Sequence, residues 1–315
     1  MPELPEVETI ARGLDKRIAG DIIESVWLGS KPEPLKSSAA EIASVLEHSR
    51  IVHVRRVGKH IVFDLEKSAT HVSKTRAHVS KTTRHGAPGR GAPTRSKTSG
   101  APGLAGSETR DRAQWIVHLG MTGQLLIGPP EAETLKHTHA VLKLKSGREL
   151  RFVDFRRFGR LAVVRIDAKD ASCFVAPGVE PLDIELEQFI PLFHHRKTPI
   201  KSALLNQKLL SGVGNIYADE SLFRAKVRPR RRAASLTRAE LEKLHKGLKQ
   251  VLREAIKLGG SSVSDYVDAE GRAGFFQLKH YVYGREGKPC LVCGTPIKRV
   301  IIAGRSSHYC PHCQI

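Results

Sequence analysis

The sequence predicts an α+β protein: an N-terminal β-sandwich led by one helix, then a helical domain and a four-cysteine finger. Three observations predict it. Short apolar, β-branched runs recur between Ile22 and Arg165. From residue 184 the apolar spacing turns helical. Two Cys-x2-Cys pairs close the chain, the first at Cys290 and Cys293, the second at Cys310 and Cys313.

Residues 5–20 read as an amphipathic helix, with Val7, Ile10, Ala11, Leu14 and Ile18 on one face and Gly20 as the stop. Strands are expected around Ile51–Val54, His60–Phe63, Trp115–Val117, Ala140–Leu142 and Leu161–Val164. One leading helix and many short strands suggest a sandwich over residues 1–166. A stretch at 67–112 interrupts it. That stretch repeats His-Val-Ser-Lys-Thr and Gly-Ala-Pro, lacks Phe, Tyr and Trp, and carries a net +8. It cannot bury enough apolar surface to order itself, so a disordered basic insertion is expected.

A linker is expected at 167–183, a helical domain at 184–283 and the finger at 284–315. Candidate helices are Glu185–Arg196, Pro199–Gln207, Asn215–Arg224 and Thr237–Leu258. The last carries a capping box, Thr237 with Glu240, and ends at Gly259-Gly260. A glycine-rich loop follows.

The chain has 315 residues, a formal charge of +20 and a pI near 10.0. Removing the insertion leaves +12, so the remainder is basic in its own right. Such an excess points to a polyanion, most often nucleic acid. A ribosomal or membrane-surface role has the same sign, and charge alone does not separate them. No run of 18 apolar residues and no signal pattern occur, so a cytoplasmic location and no membrane partner are expected.

Spacing then locates chemistry. Cys290, Cys293, Cys310 and Cys313 have the spacing of a tetrahedral four-thiolate zinc site with no open position, hence one structural Zn2+. His312 lies between two of them, and Cys173 stands alone, where a small core residue is expected over a nucleophile. If Met1 is trimmed, Pro2 presents a secondary amine that titrates near pH 8, well below lysine. A useful fraction is then nucleophilic at neutral pH, and attack on a sugar C1′ would give a cationic iminium. Glu3 beside it suits acid-base work. The bland alternative is that Pro2 and Pro5 only punctuate a helix start. Ser211–Tyr217 is a glycine-rich turn suited to a phosphate, although such turns are often only turns. Lys59 sits at a hairpin tip. Met121, Arg156 and Phe158 fall in loops, where they are either duplex wedges or ordinary core residues.

Together these segments resemble the bacterial formamidopyrimidine-DNA glycosylases, nearly end to end outside 67–112. The resemblance rests on the PELPEVET start, the hairpin lysine, HLGMTGQL, DFRRFG, TPIKSALLNQ, GVGNIYADE and the four-cysteine finger with Arg305 before its second knuckle. It implies a monomer acting on damaged double-stranded DNA through base excision repair, with a helix-two-turn-helix domain and a lesion-recognition loop near 260–276. Pro2 would be the Schiff-base nucleophile, Glu3 the acid, and Glu6 a carboxylate positioning the sugar. Lys59 would contact phosphate and support proton transfer. Met121, Arg156 and Phe158 would fill the gap left by the extruded base, with Arg156 on the orphaned cytosine. Lys201, Asn215 and Arg305 would clamp phosphates, Arg305 within the catalytic set. Phe155 departs from the family's usual proline, which puts that loop's shape in question. Leu4, where the related endonuclease VIII group typically has glycine, favours oxidised purines, namely formamidopyrimidines and 8-oxoguanine opposite cytosine. The expected activity is therefore a bifunctional glycosylase and AP lyase with β,δ-elimination. Its rivals are an endonuclease VIII-like enzyme for oxidised pyrimidines and a non-catalytic zinc-finger DNA-binding protein.

Overall fold

The computed structural model describes residues 1–30, 33–67, 111–166, 173–263 and 265–315. Two four-stranded antiparallel sheets form the N-terminal half. Their strands are β1 (Ile23–Leu28), β2 (Ser49–Val57), β3 (His60–Lys67), β4 (Asp111–His118), β5 (Gln124–Gly128), β6 (Thr138–Leu144), β7 (Glu149–Val153) and β8 (Arg160–Ile166). One sheet runs β1-β6-β7-β5 and the other β2-β3-β4-β8. The expected sandwich is there. Helix α1 (Leu4–Ile18) adds Val7, Ile10, Ala11, Leu14 and Ile18 to the core, where Phe63 meets Trp115 at 4.6 Å between rings.

Residues 68–110 lie outside the described residues, and with them the expectation of a disordered insertion. Its expected edges need correction. Lys67 pairs with Asp111 and Glu66 with Arg112, so 67, 111 and 112 are strand residues at the far end of the β3–β4 hairpin. The expected linker bonds to both halves from residue 174 onward. Phe174 N donates to Gln114 Oε1 at 2.8 Å, and Val179 bridges Leu210. Cys173, expected in the core, is exposed instead.

Helices α3 (Leu186–Phe189), α4 (Ile200–Leu204), α5 (Asn215–Arg224) and α6 (Arg238–Lys257) build the second core. The helix expected over Glu185–Arg196 is cut short, because Pro191 lacks an N–H and the chain tightens into a 3-10 turn at Ile190–Leu192. A short helix α2 (Ala39–Leu46), capped by Ser38, falls where strands were expected. Helix α6 has the expected box, with Thr237 accepting from Glu240 N.

Two crossings tie the halves together. Leu4 leaves α1's own core and packs among the C-terminal helices, and its N–H donates to Gly212 O at 3.0 Å. In the other direction, Tyr266 and Ala269 of the 260–276 loop enter the sandwich core. The first four residues are therefore fixed by the helical domain. A finger hairpin, β9 (Lys298–Ile302) and β10 (Arg305–Tyr309), completes the fold.

Candidate functional site

A cavity of about 560 Å3 opens where α1, the β2–β3 turn, α5 and the finger hairpin meet. Pro2, Glu3, Glu6, Lys59, Met121, Asn215 and Arg305 all line it. Positions separated by up to 303 residues in sequence, from Pro2 to Arg305, thus converge. Met1 also lies on the wall and is half exposed, directly in front of the buried Pro2.

Glu3 caps α1 yet points its carboxylate at the start of α5. Ile216 N donates to Oε1 at 3.1 Å and Tyr217 N to Oε2 at 3.5 Å. Burial pushes its carboxyl up to about 7, with Glu6 adding to the rise while Lys59 and the two backbone donors oppose it. At neutral pH both protonation states are populated. Gly214 makes this approach possible: a Cβ there would lie 2.1 Å from Glu3 Cδ, so no side chain fits.

Glu6 is equally buried and fully engaged. Its Oε1 accepts from Tyr217 Oη at 2.5 Å and Ser261 N at 2.8 Å, and its Oε2 accepts from Glu3 N at 2.8 Å. Burial raises its carboxyl as well, against the pull of those donors. The phenol of Tyr217 is pushed well above its ordinary value by burial and the nearby carboxylates, so it keeps its proton and donates. Glu6 is thus a bracket joining α1, α5 and the loop at 261.

Lys59 occupies the two-residue turn with Gly58, since Val57 pairs with His60. Burial lowers its ammonium from the usual lysine range, Arg305 lowers it further, and the charges of Glu3 and Glu6 work the other way. Arg305 begins β10 just after the left-handed Ala303-Gly304 turn. The cavity therefore holds an amine-bearing terminus, a carboxyl titrating near neutrality and two cations.

Met121 and the Arg156–Phe158 loop are held side by side by Asp154. This buried carboxylate accepts from Thr122 Oγ1 at 2.6 Å and Gly159 N at 2.7 Å. Gly120 lies so near that an added Cβ would sit 2.5 Å from Phe158 C. Met121 is 41% exposed and Phe158 52% exposed, and the Arg156 guanidinium stacks 4.8 Å over the Phe158 ring. Arg156 and Phe158 do not line the cavity itself. Phe155 is exposed, and Arg157 takes up the loop's strain in the left-handed region.

Lys201 is a correction. It has no exposed surface, and its ammonium sits 2.6 Å from Asp219 Oδ1 while donating to Ser306 O at 2.6 Å. Committed to those partners, it cannot reach a phosphate. Asn215 does reach the cavity, with Nδ2 3.5 Å from Ser306 Oγ.

Sequence reasoning missed Tyr217, Ser261, Tyr283, Asp154 and Asp219. Tyr217 closed the segment singled out as a glycine turn, and Asp219 lay two residues beyond it, within the GVGNIYADE motif. Nothing in the spacing marks a backbone N–H such as that of Ser261.

The four cysteine sulfurs lie within 4.8 Å of one another, with Cys290–Cys313 at 4.0 Å and Cys293–Cys310 at 3.5 Å. Zn–S bonds of about 2.3 Å in a tetrahedron put sulfurs about 3.8 Å apart, so the set fits one structural Zn2+. Glu220 ties this unit down by accepting from the N–H groups of Tyr281, Val282 and Tyr283. Stripping the metal is expected to unfold the finger and release Arg305 from the cavity while the sandwich stays folded. Metal analysis of reduced protein, with circular dichroism and DNA titration after chelation, checks this. Less than one zinc per chain would count against the site.

Three family models cover the chain: the formamidopyrimidine-DNA glycosylase N-terminal domain over 1–161, that family's H2TH domain over 177–267, and the zinc finger found in FPG and IleRS over 287–315. The formamidopyrimidine-DNA glycosylase of Solibacter usitatus is 41% identical over 318 residues, covering 100% of this chain and 99% of its own. The crystal structure of the Thermus thermophilus MutM (Fpg) protein matches with TM-score 0.74 and 36% identity, covering 99% and 98% of the two chains. The Lactococcus lactis Fpg in complex with DNA containing an abasic site matches with TM-score 0.77 and 29% identity over 99% of each chain. That protein has also been solved with DNA containing N7-benzyl-Fapy-dG and with DNA containing an oxidised pyrimidine. Full-length similarity of this kind, over all three modules and the cavity they enclose, settles the family: the chain belongs to the formamidopyrimidine-DNA glycosylases, bifunctional glycosylase and AP lyase enzymes of base excision repair.

Proposed function

We propose that this enzyme removes oxidised purines, formamidopyrimidines and 8-oxoguanine opposite cytosine, through Pro2 and then cuts the strand by β,δ-elimination. The observation that carries the reading is the buried Glu3 carboxyl near pKa 7 beside Pro2, in a cavity shared with Lys59 and Arg305. Once Met1 is removed, the Pro2 nitrogen attacks C1′ and the bond to the damaged base breaks, the base leaving with a proton. Glu3 in its acid form protonates O4′, the sugar ring opens, and the C1′–N bond becomes an iminium. That cation acidifies the C2′ proton, whose loss expels one flanking phosphate. A further deprotonation expels the other. Both leaving groups are anions, and Lys59 and Arg305 are the cavity's cations to receive them. Zinc holds the hairpin that bears Arg305 and takes no part in the chemistry.

The target must leave the stack to reach Pro2, at a few kcal/mol of unpairing. Met121 and Phe158 fill the gap and Arg156 faces the orphaned base, all from one chain acting as a monomer. Single-turnover excision of 8-oxoguanine opposite cytosine is expected to outpace that of thymine glycol. The reverse order would move the assignment to oxidised pyrimidines. Arg156 donates to the cytosine edge where adenine accepts less well, a difference of about 1–3 kcal/mol by analogy with groove contacts. Arg156→Ala should therefore narrow the gap between excision opposite cytosine and opposite adenine. An unchanged ratio would place selectivity elsewhere.

A further inference from the structure

We infer that Lys201, Asp219 and His308 form a buried latch that fixes the finger hairpin against α5 and so positions Arg305 for the elimination steps. Lys201 and Asp219 have no exposed side-chain surface, and their charged groups meet at 2.6 Å. Each also holds β10. Lys201 Nζ donates to Ser306 O at 2.6 Å, and Asp219 Oδ2 accepts from His308 N at 2.9 Å with His308 Nδ1 at 3.3 Å. The hairpin is thus pinned at two residues, and the first pin follows Arg305 directly.

Asn215 adds one long contact to the same strand, Nδ2 to Ser306 Oγ at 3.5 Å, and the finger's remaining anchors lie elsewhere. Glu220 holds the strand entering it at 281–283, and the tail returns through Ile315 N to Lys226 O and Gln314 Nε2 to Val227 O. Those contacts keep the zinc end in place without constraining 303–306. Pro2 and Glu3 depend on α1, Gly212 and the start of α5 instead, so they do not need the latch. A buried ion pair contributes little net stability over an apolar pair, which makes positioning the better account of it. The two residues therefore serve through Arg305 and are positioning residues.

The inference rests on the proposed role of Arg305, and the experiment separates the two. Removing one partner leaves a bare buried charge and strongly destabilises a protein. The working variant is therefore the double change Lys201→Met with Asp219→Asn, beside Arg305→Ala. All are assayed as full-length zinc-loaded enzyme at saturating concentration on a duplex with one 8-oxoguanine. The expected result is borohydride trapping near the parental level, with strand cleavage slowed on the order of 10²-fold, the scale of a misplacement of about 1 Å. Amide exchange at 303–308 should rise in the double variant while that at 290–293 does not. Parental cleavage by the double variant, with Arg305→Ala impaired, overturns the latch. Equal loss of trapping and cleavage overturns it too, since that is what general damage produces. Parental cleavage by Arg305→Ala instead overturns the role of Arg305 on which the latch rests.

Discussion

A residual tag ahead of Pro2 is expected to abolish borohydride trapping of this enzyme on damaged DNA, the largest single effect predicted here. The reason is positional as much as chemical. Leu4 is rooted among the C-terminal helices and bonded to Gly212 O, so the three residues before it cannot swing aside to offer another amine. An amide nitrogen at Pro2 has no free pair for C1′, whereas the free terminal amine titrates near pH 8 and is partly neutral. A tag also has to pass through the cavity that the substrate must fill. Pro2→Gly keeps a terminal amine but loses the secondary amine and the ring that holds it in place, so reduced turnover is expected and not a null. Mass spectrometry of the trapped peptide checks both variants. Undiminished trapping by a verifiably blocked terminus would sink the assignment and point to Lys59, the other amine in the cavity.

Much of this site was legible because its chemistry depends on residue type. The cysteine spacing marks a function that few alternatives share. The terminal proline with its neighbouring glutamate and the glycine-rich turn are each ambiguous alone and became readable only together with the other motifs. The sandwich was legible from β-branched runs, yet β7 was not. Its five residues are all buried, but Glu149 and Arg151 pair with each other inside it and hide the apolar pattern. Lys201 was misread for the same reason in reverse. A lysine in a basic protein suggests phosphate, and only the fold reveals Asp219 against it. Nor does the sequence show that Leu4 crosses into the second core, which is what places Pro2. Tertiary pairing of charges and of chain ends leaves no periodic trace.

Glu3→Gln is expected to slow ring opening and iminium formation, read by borohydride trapping, by about 10²–10⁴-fold, the usual worth of a positioned general acid, while making the protein more stable at alkaline pH. The two effects share one origin. The carboxyl rises from 4.5 to about 7 chiefly because it is buried, so between those pH values the folded chain holds a proton that the unfolded chain has released. Stability that is present below pH 4.5 is therefore lost as pH rises, and the loss is complete above about 7. At 1.36 kcal/mol per unit this amounts to about 3 kcal/mol. Glutamine bears no charge and keeps an oxygen for the N–H groups of Ile216 and Tyr217, so it escapes the penalty. The variant's melting temperature should equal or trail the parent's at pH 4.5 and exceed it at pH 8. In the parent, iminium formation should fall as pH climbs past 7, because the acid form is the one that protonates the sugar oxygen. A variant that is inactive but shows the same pH-stability profile as the parent would mean that Glu3 is charged in the folded protein. The acid would then have to be sought in Glu6, the second buried carboxyl of the cavity.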